Sequence, residues 1–138
     1  MAQNTNPIFP LTPIITWGTT IATAITTVDG DISAAALVAT GNATNGSRVD
    51  YLRVRALGTN VATVLRVFVN NGSTAATAAN NALITEATIA ATTLSQVAAL
   101  AETTIPLDLA LPPSYRIYVT IGTTVAAGLK VTAISGDY

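Results

Sequence analysis

Histidine and cysteine are both absent from the 138 residues. With them go the most frequent general base, the usual zinc ligands, every thiol nucleophile and every disulfide. Charge is almost as scarce. Six Lys or Arg stand against seven Asp or Glu, 9% of the chain, where an ordinary soluble domain has about 25%. Repulsion between copies therefore does little to keep them apart, and the composition describes a surface built for contact. The formal net charge of −1 supplies no basic field for a phosphate backbone, so nucleic acid is not an expected partner. Serine and threonine hydroxyls are plentiful but have no histidine to activate them. The carboxylates Asp29, Asp31, Asp50, Glu86, Glu102, Asp108 and Asp137 show no pairing along the chain that would mark a glycosidase. Aromatics are 5% of the chain, with Trp17 the single tryptophan, which leaves little to stack a sugar. No enzymatic activity, no cofactor and no metal is expected.

Residues 1–28 carry no charge, a feature shared by signal peptides and membrane spans. A signal peptide opens on positive charge and a compact apolar run, whereas this stretch opens Met1-Ala2-Gln3-Asn4 and is broken by Pro7, Pro10 and Pro13. A spanning helix needs about 20 mostly apolar residues, and Thr16, Thr19, Thr20, Thr23, Thr26 and Thr27 interrupt this one. The expectation is a soluble, unprocessed chain with no membrane partner. Sequons at Asn42, Asn45 and Asn71 then matter only as turn sequences.

What is present is a β vocabulary. β-branched residues fall in short runs separated by Gly, Asn, Asp and Pro, the punctuation of a sandwich or barrel. Eight strands are expected, over residues 16–28, 35–40, 48–56, 61–70, 82–90, 104–111, 115–121 and 128–135. The fold expected is all-β: one antiparallel, jelly-roll-like β-sandwich over 16–138, preceded by an extended N-terminal arm over 1–15 whose prolines recur every third residue. A chain of this length buries roughly two-thirds of its unfolded surface, enough for a core without staples. Residues 74–81 and 94–102 fit no strand. Leu94, Val97 and Leu100 have helical spacing, though a short helix and a long loop are both compatible with it.

The four-residue connection 57–60 suggests a hairpin that sets Ala56 opposite Val61, Val54 opposite Thr63 and Leu52 opposite Leu65, gathering one apolar face. Its other face then carries Arg55, Arg53, Tyr51 and Val49 beside Ala62, Val64, Arg66 and Phe68. Three arginines and two aromatics on one surface are the residue types enriched at protein interfaces. The same surface could instead be a solvated face on which arginine stems cover Val64 and Phe68. With the apolar residues of the arm, the candidate interface is Ile8, Phe9, Leu11, Tyr51, Arg53, Arg55, Arg66 and Phe68. Asp29-Gly30-Asp31 reads as a turn lacking the further oxygen ligands of a calcium loop, and Asn45-Gly46-Ser47-Arg48 as a hairpin connection.

The run Asn45-Gly46-Ser47-Arg48-Val49-Asp50-Tyr51-Leu52-Arg53-Val54-Arg55-Ala56-Leu57-Gly58-Thr59, then Val64-Leu65-Arg66-Val67-Phe68-Val69-Asn70-Asn71-Gly72, resembles a family of small virion proteins of tailed bacteriophages. The resemblance continues in Leu109-Ala110-Leu111-Pro112, Tyr115-Arg116 and the ending Gly136-Asp137-Tyr138, and spans about residues 17–138. It carries turn-and-strand signatures and no catalytic motif, and no functional residue is transferred from it. It implies a structural part of the particle, a capsid decoration or head-fibre-base protein. The expectation is a homotrimer that binds the major capsid protein at the capsid surface after assembly in the host cytoplasm. The alternatives are a glycan- or receptor-recognition module of a phage fibre, and a tail or neck component.

Overall fold

The computed structural model describes residues 9–138. Among them, eight strands form two four-stranded antiparallel sheets. In chain order they are β1 (Thr12–Trp17), β2 (Ala36–Thr40), β3 (Ser47–Ala56), β4 (Thr63–Asn70), β5 (Asn81–Ile89), β6 (Glu102–Leu111), β7 (Arg116–Ile121) and β8 (Leu129–Asp137). One sheet runs β1-β8-β3-β6 and the other β2-β7-β4-β5. First pairs with last, second with seventh, third with sixth and fourth with fifth, so the chain is one long antiparallel hairpin rolled over itself. That is the jelly-roll arrangement.

This topology overturns the hairpin expected at 57–60. β3 pairs with β6 and β8, while β4 pairs with β5 and β7. The connection between them passes from one sheet to the other. Leu52 and Leu65 are indeed both fully buried, but they enter the shared core from opposite sheets. A bulge in β3 between Val49 and Tyr51 resets its alternation. Val49 thus faces the core with Leu52 and Val54, not outward as the hairpin required, and Tyr51, Arg53 and Arg55 point away.

The core is the space between the sheets, filled mainly by Val, Ile and Leu from the inner faces, among them Leu65, Val67, Ile117, Val119, Ile121, Leu129 and Val131. Asn60 is buried at one end and holds the loops there. Its amide donates to Gly128 O, its oxygen accepts from Ala127 N–H, and its backbone exchanges hydrogen bonds with Thr92. At the other end Asn42 Oδ1 accepts from the N–H groups of Thr44 and Asn45, Ser47 Oγ donates to Asp137, and Asn45 Nδ2 donates to Tyr138 O. Gly46, at φ +75°, lies so close to Leu111 that a Cβ would collide with its carbonyl oxygen. The Asn45-Gly46 turn thus connects β2 to β3 across the sandwich and closes no hairpin.

The strand expected over 16–28 begins and ends earlier. β1 starts at Thr12 and stops at Trp17; at Gly18 the backbone runs so close to the other sheet that a Cβ would stand 3.2 Å from that of Ala36. The boundary expected at 15/16 thus falls within β1. Beyond it residues 18–35 run as a strap, joined to Leu129 through Ile21, to Val125 through Ala22 and to Ile121 through Ile25. Residues 94–100 are not helical. They form an exposed loop in which Ser95 Oγ accepts from Val97 and Ala98 N–H.

Candidate interaction surface

The strap ends over the outer face of the β2-β7-β4-β5 sheet. Across that face Tyr118, Phe68 and Leu83 stand in register on neighbouring strands, and Ile32 and Ala75 close over them. Ile32 N–H donates to Ala75 O. Asn81 Nδ2 lies within hydrogen-bonding distance of Gly30 O, Ala75 O and Thr77 O. The result is a second, small core in which Phe68 is 1% exposed. Next to it Arg66 pairs with Glu86 at 2.7 Å, its side chain 16% exposed.

Among the described residues the outer face of the other sheet has no such roof. Register sets Trp17, Thr132, Arg53 and Thr104 in one row, and Ile15, Ile134, Tyr51 and Pro106 in the next. A third row runs Lys130, Arg55, Glu102. The face is therefore apolar along β1 and cationic along β3. Ile15 and Trp17 are 61% and 64% exposed, and β1 is an edge strand. Glu102 binds Arg53 through two parallel hydrogen bonds of 2.9 and 2.8 Å and accepts a third from Arg55. The Arg53 hydrogen bond, chiefly, holds the Glu102 carboxyl below its ordinary range, and the same contact raises Arg53. Lys130 donates to Gly18 O and meets no carboxylate among the described residues. Between Ile15, Ile134, Leu57, Arg53, Arg55 and Lys130 lies a shallow groove.

The expected interface residues do not share one surface. Tyr51, Arg53 and Arg55 are on the open face. Arg66 and Phe68 are on the opposite side of the molecule, since β4 belongs to the other sheet, and Phe68 is covered. Phe9 and Leu11 are 77% and 71% exposed and lead into β1, with Leu11 N–H donating to Asp137 O. Ile8 lies outside the described residues. Sequence reasoning missed Trp17, Ile134 and Lys130. A signal existed, because Pro13 and Pro106 both fall inside strands, and proline within a sheet belongs at an edge. They mark β1 and β6 as the two edges of this sheet.

Among the described residues no three acidic side chains gather as a metal site. The 29–31 segment is a turn in which Asp31 accepts from Ser33 N–H at 2.7 Å; the Ser33 side chain first, and its backbone N–H second, keep the Asp31 carboxyl below its ordinary value. No helix among the described residues is long and apolar enough to cross a membrane. No family model, curated protein or solved structure matches the chain, so the surface speaks through its geometry alone.

Proposed function

We propose that the chain is a structural protein of a tailed-bacteriophage particle that self-associates as a homotrimer and docks on the major capsid protein lattice as a decoration protein. The observation that carries this reading is the open face: an edge strand with Ile15 and Trp17 exposed, on a sheet whose outer side no segment crosses among the described residues. An apolar stripe of this kind on a weakly charged protein marks an interaction site. Jelly rolls serve in viral capsid and lectin domains, a supporting analogy of fold. Many copies bound weakly to a repeating shell gain avidity from multivalency. Co-sedimentation with tailed-phage heads assembled without the protein tests the docking: the purified protein pelleting with the heads supports it, and protein left wholly in the supernatant removes it.

Trp17 and Tyr51 on one exposed face favour a second reading, a glycan-recognition module of a phage fibre, because both can stack a sugar ring. A glycan array separates the two. Specific signals that vanish in Trp17→Ala favour the fibre module, and a blank array favours the capsid protein.

A further inference from the structure

We propose that the groove on the open face receives the 28–31 turn of a second copy of this chain, so that copies join head to tail; this rests on the self-association proposed above. The acidic side chains of the molecule are few enough to be followed one by one. Asp50 and Asp108 pair with Arg48, Glu86 with Arg66, and Glu102 with Arg53 and Arg55. Asp137 accepts hydrogen bonds from Ser47 and Asn42. Among the described residues this leaves Asp29 and Asp31, which meet no Lys or Arg, Asp31 accepting only from Ser33 of its own turn; both are exposed, on a turn whose Val28 is 52% exposed.

The groove is the complement of that turn. Its walls carry Arg53, Arg55 and Lys130 against the single carboxylate of Glu102, a surplus of two positive charges. Its floor offers Ile15, Ile134 and Leu57 to an apolar tip. Two copies of the open face laid against each other would bring like surpluses together, which costs energy and disfavours a symmetric contact through this face. The turn and the groove lie on opposite sheets, with Gly30 O bound by Asn81 at the start of β5. Their contact therefore joins unlike patches and repeats from copy to copy, closing into a ring when the rotation between copies allows.

Charge reversal tests the contact, because all four target groups are exposed or half-buried and none fills the core. Light scattering would be run on the wild type, on Asp29→Lys with Asp31→Lys, on Arg55→Glu with Lys130→Glu, and on the variant with all four changes. Each pair alone is expected to weaken self-association at least tenfold, and the fourfold variant to restore it, while the circular dichroism melts remain those of folded protein. Added salt should weaken the wild-type contact. A wild-type oligomer that neither pair disturbs, or that the groove pair disturbs and the turn pair does not, overturns the seating and leaves self-association standing. A wild type that stays a single chain throughout overturns both.

Discussion

Phe68 and Trp17 are both aromatic residues on the outer side of a sandwich sheet, and the molecule treats them in opposite ways. Over Phe68 it lays the end of the 18–35 strap and the loop before β5, fastened by Asn81, and the ring is 1% exposed. Over Trp17 it lays nothing among the described residues, and the ring is 64% exposed. The physical problem is the same, since apolar area facing water is unfavourable at about 25 cal/mol per Å². One face solves it within the chain; the other leaves it open, and in the proposed reading an assembly covers it. Local sequence does not separate the cases. What separates them is whether backbone from elsewhere can cross the face with its polar groups satisfied.

If the roofed face is a true second core, emptying it should produce the largest effect. Phe68→Ala is expected to cost about 3–5 kcal/mol, the range for a buried phenylalanine that leaves a cavity, read from urea unfolding. Asn81→Ala attacks the roof by its fastening. It deprives the buried Asn70 amide of its acceptor and the part-buried carbonyls of Gly30 and Ala75 of a donor, and should cost about 1–3 kcal/mol, with amide exchange accelerated around Ile32 and Ala75 but not in β3 or β8. Protection lost evenly across both sheets would show that the roof is no separate unit.

The open face should respond in reverse. Trp17→Ser is expected to change the unfolding free energy of the single chain by no more than about 0.5 kcal/mol, as exposed substitutions do, while self-association is lost. A large loss of monomer stability would make Trp17 a packing residue. The smallest effect belongs to Glu102. Its carboxyl titrates below the ordinary glutamate range in the folded protein, so its contribution to stability is complete above that range and disappears as pH falls through the depressed folded value. Exposed pairs of this kind contribute little. Urea midpoints of the wild type and Glu102→Gln, compared at neutral pH and in acid, should differ slightly at neutral pH and converge in acid; a gap that widens in acid would reverse the sign.

Strand positions were legible because turn residues punctuate the chain. The run expected over 48–56 is β3 less its first residue, and 82–90 differs from β5 by one at each end. Partners were not legible. Alternation states which side of a strand faces the core but not which sheet the strand joins, so Leu52 and Leu65 satisfied a hairpin and a sandwich equally. The candidate site was half visible for that reason. Tyr51, Arg53 and Arg55 stay together because they share one strand, whereas Arg66 and Phe68 were attached through a pairing that does not form. The roof over Phe68 depends on Asn81 reaching Gly30, 51 residues away, which no local pattern announces. The Thr-rich stretch after Trp17 has strand composition, yet regular pairing ends at Trp17 and, after a last bridge from Ile21 to Leu129, the chain runs on as the strap.

The account turns on whether the open face is covered by other copies of the same chain. Light scattering of the purified wild type on a sizing column, beside Trp17→Ser, measures this most directly. A wild-type mass of about 42 kDa, three chains of 14.0 kDa, with Trp17→Ser eluting as a single folded chain, is the expected result. A wild type that remains at 14.0 kDa at every concentration, or a Trp17→Ser variant that keeps the wild-type mass, would contradict it.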